Sequence, residues 1–187
     1  KDRLELVNRQ FTKPAVVTGH PQVWSAAFPD ARIVADDDVL DLEEGAHDLV
    51  IHGLSLHWAS DPVGQLIQCR RALKPDGLCL VALFGGVTLS ALRATLAEAE
   101  ARVTGGLSPR VLPMAEIRDL GGLLQRAGFA LPVADSLPLT VTYPDPLALM
   151  RDLRAMGEGN ALAGRLRHPT RRAVLLEAAR LYSAHHG

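Results

Sequence analysis

The sequence predicts an α/β fold, a largely parallel sheet with helices on both faces. Three observations carry this prediction: an apolar run from His47 that ends in Ser55–Trp58, a turn signal at Lys74–Gly77, and a second apolar run over Leu78–Leu83. An amphipathic segment joins the two runs. Buried parallel strands are continuous apolar runs, and a helix supplies the crossover that such a pair requires. These segments therefore predict a βαβ unit, whose connection is right-handed in nearly all sheets.

The N-terminal part predicts two short strands and two short helices. Residues 2–10 have helical composition, and Pro14–Gly19 predicts a strand that ends in a turn. A helix is expected to follow, with Pro21 in its first turn, where proline is tolerated. Ala31–Ala35 predicts the second strand, which leads into Asp36–Asp38 and then a loop.

The C-terminal part predicts four helices and a strand pair. Helices are expected over Thr88–Val103 and Met114–Ala127, each followed by glycine as at many helix ends, and they would form a helical insertion over about 88–127. The remaining elements are a strand pair at 130–134 and 139–143 and C-terminal helices over about 146–185.

Bulk composition fits one ordinary globular domain over residues 1–187. Of the 187 residues, 48% are hydrophobic and 22% are charged, and the formal net charge of −1 gives no reason to expect a nucleic-acid partner. No apolar run approaches the roughly 20 residues of a membrane span. Cys69 and Cys79 fit no metal motif, so we expect buried thiols and no metal site. With no signal-peptide pattern at the start, a cytoplasmic location is the default expectation.

The βαβ segment also carries a family resemblance. Its pattern D-L-V, S-x-L-H-W and R-x-L-K-P-D-G-x-L resembles the fourth strand, the next helix and the fifth strand of class I S-adenosylmethionine-dependent methyltransferases. It is more specifically similar to the branch of the biotin-pathway carrier methyltransferase and the mitochondrial complex I assembly methyltransferase-like proteins. That similarity continues through Phe84–Gly86, Gly106–Pro109 and Arg151–Glu158, and covers about residues 31–182 with gaps.

The resemblance implies a Rossmann-like methyltransferase sheet closed by an antiparallel terminal strand. It also implies S-adenosylmethionine as cofactor and a small molecule, an acyl carrier or a protein as substrate. In this family a glycine-rich turn after the first strand lets the main chain approach the cofactor. Here that strand ends in Val17-Thr18-Gly19-His20-Pro21, with one glycine and a proline that removes a backbone donor. The turn is therefore degenerate, and Thr18, Gly19 and His20 are its candidate cofactor residues.

Two interpretations of Ala31–Ala35 compete. Asp36 follows Gly19 by 17 residues, close to the roughly 20 expected for a ribose-binding acid, which favours the family's second strand. The passage from Asp36 to Asp48 instead matches the family's third-to-fourth-strand segment, which places Asp36 or Asp37 near the adenine. A crossover with its helix needs at least about 10–12 residues, more than Phe28–Arg32 offers. We therefore favour a sheet short by one strand and one helix on its N-terminal side.

The remaining candidate residues follow the later strands, where ligands bind in such sheets. The resemblance implies that Ser55, Leu56 and His57 line the cofactor and that Phe84, Gly85, Gly86, Arg93 and Tyr143 face the substrate. Several candidates have a purely structural alternative. Asp36–Asp38 would be a solvated loop, His57 and Trp58 would pack under the next helix, and Gly85-Gly86 would only form a turn. No catalytic residue is assigned, because methyl transfer from a sulfonium needs mainly proximity and alignment.

Two functional hypotheses follow. The first is S-adenosylmethionine-dependent methyl transfer, favoured by the acidic pair Asp36-Asp37. The second is a degenerate, non-catalytic methyltransferase-like domain that acts as a binding or respiratory-complex assembly factor, favoured by the single-glycine turn. Hydroxylation is a third option that depends wholly on the resemblance.

Overall fold

The computed structural model describes residues 2–186, and the side chains of residues 3–184. Within that range it has four strands and seven α-helices, with a single 3-10 turn at Leu56–Trp58. The elements in chain order are α1 Asp2–Glu5, β1 Pro14–Val17, α2 Pro21–Ala27, β2 Arg32–Val34, β3 His47–Gly53, α3 Pro62–Ala72, β4 Leu73–Ala82, α4 Ser90–Thr104, α5 Ile117–Arg126, α6 Pro146–Ala155 and α7 Arg172–His186.

The chain folds into two compact units. The sheet unit comprises Lys1–Gly85 and Ala115–Asp135, and the helical unit comprises Gly86–Met114 and Ser136–Gly187. The expected helical insertion is divided between them, since α4 belongs to the helical unit and α5 to the sheet unit. Because each unit is compact by itself, one domain over residues 1–187 stays a prediction.

The sheet has the order β2-β1-β3-β4, and all neighbouring strands are parallel. This arrangement confirms the predicted α/β, Rossmann-like class. The order matches strands 2-1-4-5 of the doubly wound order 3-2-1-4-5-6, so the outer strand beyond β2 is absent within residues 2–186. Val34 lies opposite Val17. The sheet is thus short by one outer strand, as expected, and β2 lies directly beside β1. Because the loss of the family's second strand would also leave the next strand in this position, both interpretations of Ala31–Ala35 fit the sheet order.

Alternation along the strands fills two core layers, one on each face of the sheet. Ala15, Val17 and Val50 pack with Cys69 and Ala72 of α3 on one face. Val16, Leu49 and Ile51 pack on the other face with Trp24 of α2, with Phe28 directly after that helix, and with Phe11. Every residue of β3 is buried, as expected for a central parallel strand.

The predicted turn at Lys74–Gly77 is a bulge inside β4 and not a free turn. Leu73 pairs with His47 and Leu78 pairs with Leu49, so four residues bulge out opposite Asp48. The positive φ of 61° falls on Asp76, whereas a simple turn would put it on the glycine. The Arg9 guanidinium donates to the Asp76 carbonyl, which ties the bulge to the N-terminal segment.

The helical unit is built on the contact of α4 with α7. Leu92, Leu96 and Ala99 of α4 pack with Val174, Ala178 and Leu181 of α7, and Leu149 of α6 joins them. The predicted helices in this unit are confirmed to within two residues at each end. Within residues 2–186, no helix combines the length and the apolar character that crossing a bilayer requires.

Residues 130–143 form no strand, so the predicted strand pair and antiparallel terminal strand are absent from residues 2–186. Pro132, Pro138 and Pro144 remove backbone donors that a ladder needs. The boundary between the units, after Asp135, also separates the two predicted segments. Their alternating apolar side chains stay exposed, with Leu131 92% exposed and other members of the pattern similarly so.

Candidate functional site

The candidate site lies at the carboxyl ends of β1, β2 and β3. Because these strands are parallel neighbours, the segments that follow them meet at one edge of the sheet. The structure therefore brings together Thr18–His20, Asp36–Asp37 and Ser55–His57, as the sequence predicts.

Thr18 ties the end of β1 to both neighbouring strands. Its backbone N–H donates to the Val34 carbonyl at 3.0 Å, and its Oγ1 donates to the Gly53 carbonyl at 3.1 Å. The same hydroxyl accepts from the His20 N–H at 3.0 Å. The only donor of the Thr18 hydroxyl is thus used inside the fold, and the residue's role in binding a cofactor stays a prediction.

Gly19 and Asp36 stand against each other at this edge. A Cβ placed on Gly19 would lie 3.3 Å from Asp36 Oδ2. Gly19 is exposed and Asp36 is half-buried, and no described side chain of residues 3–184 forms an ion pair with Asp36. A carboxylate with free acceptor lone pairs beside bare backbone can bind the hydroxyl groups of a ligand.

The loop that carries Asp36 and Asp37 is held from beneath by two glutamines of α3. Gln65 Nε2 donates to the Asp37 carbonyl at 2.9 Å. Gln68 Nε2 donates to the Asp38 carbonyl at 3.0 Å, and Gln68 Oε1 accepts from the Leu40 N–H at 2.8 Å. The carboxylates of Asp37 and Asp38 point outward and are exposed. Sequence reasoning missed both glutamines, whose only signal is a polar pair at i and i+3 in an amphipathic helix.

His52 is a second residue that sequence reasoning missed. It is fully buried on β3, and its Nε2 lies 2.8 Å from Gln65 Oε1. Its Nδ1 lies 3.5 Å from Ser55 Oγ. Burial lowers the pKa of His52 below the ordinary 6.5, although the Gln65 hydrogen bond and the Asp36 charge act in the opposite direction. A single histidine inside an apolar run was the only signal.

The residues after β3 divide between core and site. Leu56 is buried in a cluster with Leu66 and Ala127, so only its backbone could meet a cofactor. The His57 ring lies 5.5 Å from the Phe84 ring, edge to face, and 5.6 Å from the Trp58 ring. The structure therefore joins a candidate cofactor residue, His57, to a candidate substrate residue, Phe84.

Trp24 covers the end of β3 on the face opposite α3. A Cβ placed on Gly53 would lie 2.4 Å from the indole Cε2 of Trp24, so only glycine fits beneath this ring. The indole also stacks on Phe28, with ring centroids 6.1 Å apart. Neither the tryptophan nor its glycine was predicted at the site, since nothing in their spacing shows that they meet.

The other substrate candidates divide between the units. Gly85 belongs to the sheet unit, where a Cβ would lie 3.3 Å from the Ala115 carbonyl. Gly86 has a positive φ of 55° and, like Arg93 and Tyr143, belongs to the helical unit. Tyr143 packs there on the α4–α7 core, and lost hydration together with the Asp152 carboxylate raises its pKa above the ordinary value. Their contact with substrate stays a prediction.

Comparison with known proteins finds a family and several similar chains. Residues 14–81 match the family described as a methyltransferase domain. The chain is 37% identical over 183 residues to the mitochondrial arginine-hydroxylase NDUFAF5 of Danio rerio, covering 98% of this chain and 57% of that protein. It is 42% identical over 157 residues to the Homo sapiens protein of the same name, covering 83% and 45%.

A bacterial relative is named for a different activity. The chain is 39% identical over 135 residues to the malonyl-[acyl-carrier protein] O-methyltransferase of Laribacter hongkongensis, covering 72% of this chain and 43% of that protein. The chain thus spans about half the length of the curated relatives it matches.

A solved structure shows the same fold. The complex between the Haloferax volcanii Trm112 methyltransferase activator and a methyltransferase contains a chain that matches with a TM-score of 0.50 and 14% identity. The match covers 97% of this chain and 84% of that one. At this identity the likeness concerns the fold alone.

Proposed function

Because the chain belongs to the class I S-adenosylmethionine-dependent methyltransferase superfamily, we propose that its sheet unit binds S-adenosylmethionine at the carboxyl ends of β1–β3. The single observation that carries this proposal is the Asp36 carboxylate, which faces the exposed backbone of Gly19. A carboxylate at the end of the strand beside the first strand is where doubly wound sheets bind ribose hydroxyls.

The residues present fit the nucleoside part of this cofactor better than its methionine part. Asp36 would accept hydrogen bonds from the ribose hydroxyls, and Gly19 leaves the backbone open to close approach. Asp37 is exposed next to it and would lie toward the adenine. The β1–α2 turn offers less, because Pro21 supplies no N–H and the His20 N–H already donates to Thr18. We therefore expect the binding of S-adenosylmethionine to depend mainly on Asp36–Leu40, the acidic loop that follows β2.

When bound, S-adenosylmethionine would supply an electrophilic methyl group on a sulfonium. The chain's own contribution would be to bind and orient, and His57 with Phe84 would form an aromatic wall that excludes water and faces a cation favourably. Methyl transfer to a small molecule, an acyl carrier or a protein is the reaction that this arrangement supports. No residue is assigned as a base.

A second candidate function is a methyltransferase-like domain that does not transfer methyl groups. The arginine-hydroxylase relatives align over 81–98% of the chain, whereas the malonyl-[acyl-carrier protein] methyltransferases align over 72–76%. The single-glycine turn also favours this candidate. In this case the chain would act in hydroxylation or as an assembly factor for a protein partner.

Calorimetric titration of the folded chain with S-adenosylmethionine and S-adenosylhomocysteine tests the proposal. We expect micromolar affinity, and Asp36→Asn should weaken it about 10-fold or more, since hydrogen bonds to a charged group are worth about 1.5–3 kcal/mol. Asp38→Asn is the matched control, because it changes the same charge in the same loop without facing Gly19. Binding no tighter than millimolar by folded protein would sink the proposal.

The compartment and the partners remain part of the proposal. Cytoplasmic location and the absence of a nucleic-acid partner stay predictions from composition. The animal relatives are named as mitochondrial proteins, which is a statement about them.

The titration also tests the second candidate function. Micromolar binding that Asp36→Asn weakens would contradict the hypothesis that the domain no longer binds its cofactor.

A further inference from the structure

Helix α3 holds the acidic loop through three hydrogen bonds that involve two glutamine side chains. These bonds reach the Asp37 carbonyl, the Asp38 carbonyl and the Leu40 N–H, at 2.8–3.0 Å. They fix the backbone on both sides of Asp38, while the Asp36 carboxylate faces Gly19 and Asp37 is exposed. The glutamines lie three residues apart and so face the same side of the helix.

The position of Gln65 inside the core is unfavourable for an amide side chain. It is buried among the core residues of α3, and a buried amide costs free energy unless each polar end is paired. Both of its ends are paired, Nε2 with the Asp37 carbonyl and Oε1 with His52. A leucine would suit the packing of this helix face, so the specific contribution of the glutamine is its link to the loop.

The hydrogen bonds also determine how His52 carries its proton. The Asp37 carbonyl can only accept, so the Gln65 atom that faces it must be the amide nitrogen. The Gln65 oxygen therefore faces His52 Nε2, which must donate. In the neutral imidazole that burial favours, Nδ1 is then left as an acceptor for the Ser55 hydroxyl. One connected path thus runs from Ser55 after β3 to Asp37 after β2.

We propose that Gln65, Gln68 and His52 are positioning residues, which hold the Asp36–Leu40 loop in its ligand-binding conformation before any ligand arrives. The proposal rests on the proposed function, because the ligand of that loop is the nucleoside part of S-adenosylmethionine. A loop that is already ordered loses less conformational entropy on binding, so affinity rises without an added contact. None of the three side chains needs to touch the ligand.

Isosteric variants separate this role from packing. Gln65→Glu keeps the shape of the side chain and its acceptor for His52, but it presents a carboxylate oxygen to the Asp37 carbonyl and cannot donate. Gln68→Ala removes the second link at a half-buried position, where folding is less at risk. Gln22→Ala, on the exposed side of α2, is the matched control.

The first readout needs no cofactor. Hydrogen–deuterium exchange of the unliganded chain should show the Leu40 amide exchanging about 10-fold faster in Gln68→Ala, because its acceptor is gone. Gln65→Glu should speed exchange in peptides that cover residues 36–42, with the strands unchanged. Imidazole nitrogen NMR of the wild type should show His52 protonated at Nε2. Unchanged exchange in both folded variants, or a proton on Nδ1 alone, would overturn the proposal.

The second readout is S-adenosylmethionine affinity by calorimetry. Each variant should bind about 5- to 10-fold more weakly than the wild type, and Gln22→Ala should bind as the wild type does. Wild-type affinity in both variants would overturn the positioning role while leaving the proposed function intact. If the wild type itself does not bind, the proposed function fails instead, and the exchange experiment shows separately whether the glutamines order the loop.

Discussion

Glu100 in the helical unit and Asp36 in the sheet unit are carboxylates whose surroundings are opposite. Glu100 is only 5% exposed. It accepts from the Ser108 N–H at 3.0 Å and from Arg110 Nε and Nη2 at 3.0 and 2.8 Å, with the Ser108 hydroxyl also in contact. Asp36 is half-buried, faces the backbone of Gly19 and has no described ion-pair partner.

The difference separates a structural carboxylate from one that is available to a ligand. Both carboxylate oxygens of Glu100 accept hydrogen bonds from Arg110 and Ser108. Arg110 also donates from Nη1 to the Thr170 hydroxyl at 2.7 Å. Burial alone would raise the pKa of Glu100, but its bonds from Arg110 and Ser108 lower it below 4.5. Asp36 lies at the edge of the sheet with no described hydrogen bond or ion pair, so its acceptors are available to a ligand.

The largest expected effect is on Glu100. Glu100→Leu leaves Arg110 and the Ser108 N–H without their acceptor, so the free energy of unfolding should fall by about 3–5 kcal/mol. Urea unfolding followed by far-ultraviolet circular dichroism measures it. Both tryptophans, Trp24 and Trp58, lie in the sheet unit, so tryptophan fluorescence gives a readout confined to that unit.

A second variant guards against a general loss of folding. Glu100→Leu combined with Arg110→Met removes both charges and should recover much of the lost stability, because an apolar pair of similar size often replaces a buried ion pair without cost. A loss below about 1 kcal/mol in the single variant would show that Glu100 is not structural.

The next effect concerns Asp48, which shares a unit with Asp36 but resembles Glu100 in its surroundings. Its carboxylate accepts from the Thr12 N–H at 2.7 Å, the Thr12 hydroxyl at 2.9 Å and the Lys13 N–H at 3.0 Å. Asp48→Asn should lower the free energy of unfolding by about 1.5–3 kcal/mol, measured by tryptophan fluorescence in urea. Asp41→Asn, in an exposed pair with Arg32, is the control and should cost no more than about 1 kcal/mol. Equal losses would contradict the distinction.

Acidification should reveal two separate windows of stability loss. The pKa of His52 is lowered by burial, so its contribution is complete above 6.5 and is lost as pH falls through the folded-state value. Asp48 and Glu100 also have lowered pKa values, despite burial that acts to raise them, so their contributions are lost only below about 4. Unfolding free energies measured from pH 8 to pH 3 should show the first slope disappear in His52→Leu. A wild-type slope retained in that variant would contradict the assignment.

The smallest expected effect on stability belongs to Asp36. Asp36→Asn should change the free energy of unfolding by no more than about 0.5 kcal/mol, because no described bond depends on its charge. The same variant is expected to lose most of its S-adenosylmethionine affinity. In Asp36→Asn the free energy of unfolding should thus stay unchanged while the affinity for S-adenosylmethionine falls, whereas Glu100→Leu should lower the free energy of unfolding. A loss of stability above 1 kcal/mol would remove that contrast.

The sequence predicted what depends on periodicity and missed what depends on orientation. The apolar runs around His47 and Leu78 identified two parallel strands, and the structure brings the residues that follow them together at one edge of the sheet. An amphipathic pattern locates a helix but does not tell which polar side chain turns inward, so Gln65 and Gln68 went unnoticed. The pattern at Lys74–Gly77 fits a type II turn and a glycine-containing bulge equally well, because each of these has one residue at positive φ.

The strand pair predicted at 130–134 and 139–143, which the structure lacks, has a different cause. The alternation in Leu137, Leu139 and Val141 is a fair strand signal, yet a strand also needs a partner within reach and backbone donors to pair with it. Proline removes donors at 132 and 138, and the two segments belong to different units. Local pattern carries no information on either condition.

The two units alternate along the sequence, and this has a consequence for folding during synthesis. The chain leaves the sheet unit after Gly85, returns at Ala115 and leaves again after Asp135. The cluster of Leu56 and Leu66 therefore closes only when α5 delivers Leu123 and Leu124, after the whole of α4 has emerged from the ribosome. Until then we expect a nascent chain to expose the apolar side of α3 that α5 later covers, which favours aggregation at that stage. Cutting the chain at any one of the three unit boundaries would divide at least one unit. Removing residues from one end therefore cannot yield either unit alone.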